Sequence, residues 1–154
     1  MFRRLLVGAA AGAAATTALN AVTYADMAWR GRSASDTPQE TVEKLAAKAN
    51  LTVPGEGDTR SNRLLGLGAL SGIATGMGVG VAYGVLDVLR VRPSLLVGGV
   101  GAGAVAMAAS DASMAKLGVT DPSTWSLQDW ASDAIPHLAY GLVLAATFRA
   151  AERR

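Results

Sequence analysis

Four long apolar runs alternate with short polar stretches along the chain, and each run has the length and period of a membrane helix. The first is LLVGAAAGAAATTALNAVTYA, residues 5–25. The second is LLGLGALSGIATGMGVGVAYGVL, residues 64–86, and it holds no charge. At ~1.5 Å per residue it reaches about 34 Å, enough for a hydrocarbon core of about 30 Å. The third covers residues 94–115 and the fourth residues 130–148, each with an Asp near one end. The pattern predicts an all-α protein, a single membrane domain over 1–154 built from four transmembrane helices. Residues 26–63 form its one sizeable polar loop. Span one has the basic start of a signal peptide, but its run exceeds the usual 7–15 residues of such a segment and reads as a retained span.

Within that loop DTPQETVEKLAAKANL predicts a short extramembrane helix. Thr37 suits its N-cap, Pro38 its first turn and Glu40 a capping box. Val42, Leu45, Ala46 and Ala49 share its apolar face, and Glu40 and Lys44 stand at i, i+4 spacing. The helix is expected to lie on the membrane or on the outer ends of the spans. VPGEGD, residues 53–58, breaks the chain before span two.

Glycine changes the picture most. Gly68, Gly72, Gly76, Gly80 and Gly84 recur every four residues in span two. In water each would cost about 1 kcal/mol against Ala. In lipid, small residues at i, i+4 make a flat strip that another backbone can approach closely. This glycine-zipper pattern is echoed by Gly8, Gly12, Thr16 and Asn20 in span one. Ser94, Gly98, Ala102, Ala106 and Ser110 repeat it in span three, and Gly141 and Ala145 in span four. Packing inside a four-helix bundle is the first use of such strips. A homo-oligomeric interface is the second use and a pore with thin glycine walls the third, and the partners implied are a second copy or a larger membrane complex.

Charge then orients the bundle. Arg3 and Arg4 precede span one, Arg90 and Arg92 fill the link after span two, and Arg149, Arg153 and Arg154 follow span four. By the positive-inside rule this side faces the cytoplasm, with both termini. Trp29, Trp125 and Trp130 gather at the opposite side, where amphipathic rings favour the interface. The net charge is only +2 with basic residues at segment ends, a topology signal and not a nucleic-acid footprint. The bilayer is the implied surrounding.

Candidate chemistry is sparse. Cys is absent, which removes disulfides, thiolate nucleophiles and Cys-bound metals. The single His excludes an HExxH zinc motif, and no P-loop or GxSxG triad is present. No enzyme, cofactor or metal site is expected. The polar groups at membrane depth are Asp111, Asp133 and His137, the last two one turn apart on a common face. Ionisable groups there are candidates for function, because burying them is expensive. They form either a structural hydrogen bond between spans three and four or an outer-side site for protons or a solute. Pro136 between them is expected to kink or restart the helix, after a Ser126/Asp129 cap. Asn20 is expected to bond another span, and Asp87 to pair with Arg90 in solvent.

The stretch MAKLGVTDPSTWSLQDWASDAIPHLAYGLV combines a short turn, Trp125, an acidic residue and His137 at the entry of an apolar helix. With YADMAWRGRSASDTP after span one, it resembles the YagU-like group of small bacterial inner-membrane proteins, which have no assigned function. The resemblance implies a multi-pass protein of the cytoplasmic membrane and carries no activity with it. The sequence thus points to a structural or accessory bundle subunit, with a small transporter or proton-linked permeation protein as the alternative.

Overall fold

The computed structural model describes residues 1–152, so Arg153 and Arg154 of the basic end lie outside it. The described residues form five helices and one short turn: α1 (Phe2–Arg30), α2 (Thr37–Lys48), α3 (Gly57–Val88), α4 (Leu95–Leu117), a 3-10 turn at Pro122–Thr124, and α5 (Leu127–Glu152). Among the described residues there is no strand, and α1, α3, α4 and α5 are each long and apolar enough to cross a membrane. The protein is a multi-pass membrane bundle with one extramembrane helix.

The order of the long helices in space is α3, α1, α5, α4. Helix α1 therefore lies between α3 and α5. Helices α3 and α4 meet only briefly, where Tyr83 faces Gly98 near their connecting link. Glycine explains the two tightest contacts. Gly8 and Gly12 of α1 lie against the backbone of Gly80 and Gly76, and Gly84 against that of Arg4. Gly99 and Gly103 of α4 meet Gly141 and His137 of α5 in the same way. A Cβ at Gly8, Gly12, Gly80, Gly84, Gly103 or Gly141 would strike main chain, one at Gly76 the Thr16 hydroxyl and one at Gly99 Leu142, so the helices are spaced for glycine. The other members of the α3 strip differ. Gly68 rests on Pro38 of α2, and Gly72 faces open space.

Few large side chains fill the centre. Ala11, Ala15, Leu144 and Ala145 are fully buried. Tyr140 is buried with them and donates its hydroxyl to the Gly76 carbonyl at 2.6 Å, joining α5 to α3 through the middle of the bundle. Thr16 sits beside the same glycine and returns its own hydroxyl to Gly12 O at 2.9 Å. Polar groups in an apolar interior need such partners, and each bond contributes about 1 kcal/mol net.

Three expected local features take another form. Helix α2 is capped at Asp36, one residue early, with no side-chain cap bond; Ser35 Oγ accepts from Thr37 N at 3.2 Å. Glu43 pairs with Arg60 of α3 at 2.6 Å, so the helix is tied to a span and not only to itself. Helix α5 runs unbroken through Pro136. The Ser126/Asp129 box forms as expected, with Asp129 N on Ser126 Oγ at 3.2 Å and Ser126 N on Asp129 Oδ2 at 2.9 Å. It starts the long helix directly. The turns on either side of the proline are contacted from other helices, by Arg30 on Ser132 and by Gly103 against the His137 backbone.

Candidate functional site

The polar cluster forms because α4 and α5 touch through glycine. With the His137 carbonyl seated against Gly103, the two antiparallel helices stay close for the next two turns. Asp111 then arrives opposite Asp133, within interaction distance of that carboxyl and of His137. His137 Nδ1 lies 2.9 Å from the Asp133 carbonyl and 3.2 Å from its Oδ1. The three groups singled out in the sequence are therefore neighbours.

Satisfaction within the cluster is incomplete. Asp111 is only 8% exposed, and its Oδ1 has no hydrogen-bond partner. Asp133 Oδ2 is buried without one as well. A buried polar atom left unpaired costs about 1–3 kcal/mol, so these oxygens mark the strained point of the interface. Two carboxyl groups and an imidazole can pass protons among themselves. Among the described residues, no group of three His, Asp or Glu side chains is arranged to hold a metal ion. A groove between α2 and α3 and a cavity beside the 3-10 turn are lined by other residues.

Two charged networks, one at each end of the bundle, were not legible in the sequence. On the tryptophan side, Arg30 grips both oxygens of Asp26 at 2.7 and 2.6 Å and donates to Ser132 Oγ at 2.8 Å. Arg32 shares the same carboxylate at 2.6 Å. Ser132 directly precedes Asp133, so α1 fixes the turn on which the cluster begins. Above it, Trp125 and Trp130 stack edge-to-face at 5.0 Å, and Trp125 Nε1 donates to Thr120 at 3.0 Å. Trp29 projects fully outward.

At the other end Asp87 is buried, and its partners are not Arg90. Arg4 Nε lies 3.0 Å from Oδ2, and Arg92 donates to Oδ1 at 2.6 Å. Arg90 instead adopts a left-handed conformation at φ 62° and turns the chain. Arg3 reaches Glu152 at 2.8 Å, and Arg149 donates to the Pro93 carbonyl, so both described ends of the chain meet here. Long-range pairing of this kind has no sequence signal beyond an Asp at the end of an apolar run. Asn20 is half-buried and takes part in none of the described side-chain hydrogen bonds.

No family model, curated protein or solved structure matches the chain.

Proposed function

We infer that this protein is a structural or accessory subunit of a bacterial inner membrane, not an enzyme, with both termini in the cytoplasm. One observation carries the reading. The spans meet backbone on backbone, through Gly8, Gly12, Gly76 and Gly80 on one side and Gly99, Gly103 and Gly141 on the other. That packing suits a rigid element and leaves little room for a solute path. The likeness of Trp125 and His137 to the YagU-like proteins agrees with the location. The test is the mass of the species extracted gently from native membranes. A stoichiometric assembly larger than one 15.6 kDa chain is expected. A lone monomer at every protein concentration would refute the reading.

A second reading rests on the unpaired Asp111 and Asp133 oxygens. They support proton-linked permeation through the α4–α5 face. In reconstituted vesicles, Asp111→Asn should then abolish flux while the protein still assembles. Unchanged flux would remove this alternative.

A further inference from the structure

A groove of about 580 Å³ opens between α2 and the outer part of α3. Val42 and Ala46 of α2 form one wall, Gly66, Leu67 and Leu70 of α3 the other. Leu51 and Val53 of the connecting loop close its upper end, where Arg63 and Thr52 bring the polar groups. From Arg63 to Leu70 it extends about 10 Å along α3. Its lower part thus belongs to the uncharged run that starts at Leu64, and its mouth to the first charged turn outside it. An elongated apolar slot crossing this boundary has the polarity of a phospholipid, tail below and phosphate above.

The charges at the mouth fit the same ligand. Arg60 is taken by Glu43 at 2.6 Å. Arg63 lies on the groove wall, and its described bond is one guanidinium N–H to the Pro54 carbonyl at 2.8 Å. That leaves further donors in the fork geometry that phosphate oxygens match. The driving force is also placed correctly. Leu51 is 64% exposed and sits above the apolar run, where water and headgroups replace lipid tails. Covering such surface removes apolar area from water and is favourable.

We propose that this groove binds one phospholipid, its acyl chain between α2 and α3 and its phosphate on Arg63. The full chain is delipidated in detergent and titrated with palmitoyl-oleoyl phosphatidylglycerol. Native mass spectrometry then reads the lipid that survives collisional stripping. Wild type should keep one. Gly66→Phe should lose it, because Gly66 lines the groove and a Cβ there meets no protein atom within 4 Å, so the ring has room to fill the slot. Gly78→Phe, equally free of contacts but away from the groove, should keep it. Ala46→Phe fills the slot from the opposite wall and should repeat the loss if Gly66→Phe proves unstable. Arg63→Gln should reduce retention with helicity unchanged. Equal retention by all variants overturns the proposal. So does a dimer that Gly66→Phe abolishes without any change in lipid.

Discussion

The same substitution at two glycines of one helix should have opposite effects. Gly72 and Gly80 both belong to the α3 strip, but a Cβ at Gly72 meets nothing within 4 Å. A Cβ at Gly80 would lie 2.9 Å from both Cα and N of Gly12 and closer still to the Gly8 carbonyl. Gly72→Ala removes only unfolded-state freedom and should stabilise by about 0.4–1 kcal/mol. Gly80→Ala gains the same term but must push α1 away. Overpacking of this kind costs about 1–3 kcal/mol, and a gap of 0.5–1 Å forfeits a quarter to a half of each dispersion contact along the seam. The shift also stretches the Tyr140–Gly76 bond one turn away, at about 1 kcal/mol. The net expectation for Gly80→Ala is a loss of about 1–3 kcal/mol. Unfolding of the two variants in mixed micelles, followed by circular dichroism, measures the difference. At about 2–4 °C per kcal/mol, Gly72→Ala should melt above wild type and Gly80→Ala at least ~3 °C below Gly72→Ala. If both variants shift in one direction, the close α1–α3 approach is not what the glycines serve.

Topology is checked by single cysteines: those at Ser35 and Ser123 should label with an impermeant thiol reagent in intact cells, and one at Ala151 should not. The reverse pattern would invert the orientation. Tyr140→Phe keeps the buried ring and removes the donor to Gly76, so it should lower stability by about 0.5–1.5 kcal/mol without altering helicity. A loss no larger than error would show that the bond is not maintained in the bundle. In the loop between α4 and α5, the Ser123 hydroxyl and backbone N–H hold the Asp121 carboxyl below its ordinary value of 3.8. Its contribution to stability is present above that value and disappears as pH falls through the folded one. Ser123→Ala should raise the Asp121 titration toward 3.8 in an NMR pH series, and an unchanged titration would mean the Asx-type turn does not persist.

Much of the architecture could be read from local pattern, and the failures share one cause. Apolar run length located α1, α3, α4 and α5 because a membrane helix must satisfy its own backbone. Spacing of four marked Gly68 to Gly84 as a strip, but partners are set by where other helices fall. That is why Gly76 faces Thr16, Gly68 faces Pro38 and Gly72 faces nothing. Asp87 was assigned to its sequence neighbour Arg90, whereas its partners are Arg92 and, 83 residues away, Arg4. Pro136 carries a local rule for restarting a helix, yet α5 is continuous across it, with α1 and α4 in contact on either side. The Asp133–His137 pair follows from i, i+4 geometry alone. The approach of Asp111 needed the glycine contact at Gly103, which no single segment encodes.

The central position of α1 has a consequence for assembly. Its two partners are not its neighbours in the chain: α3 begins at Gly57 and α5 at Leu127. The α4–α5 hairpin, by contrast, closes through local contacts and can form as soon as it is made. During synthesis α1 must therefore wait in the bilayer with its Gly8, Gly12 and Thr16 face unmatched until α3 has been made, and with its other side unmatched until α5 arrives. Non-local pairing of this sort is slow and leaves reactive surfaces exposed in the interim. A bare glycine seam offers a second copy of α1, or the α3 of another molecule, the same close fit as the native partner. Helix α1 is thus the one whose mispairing would be hardest to reverse, and the wait for its first partner is set by the length of the polar loop and of α3.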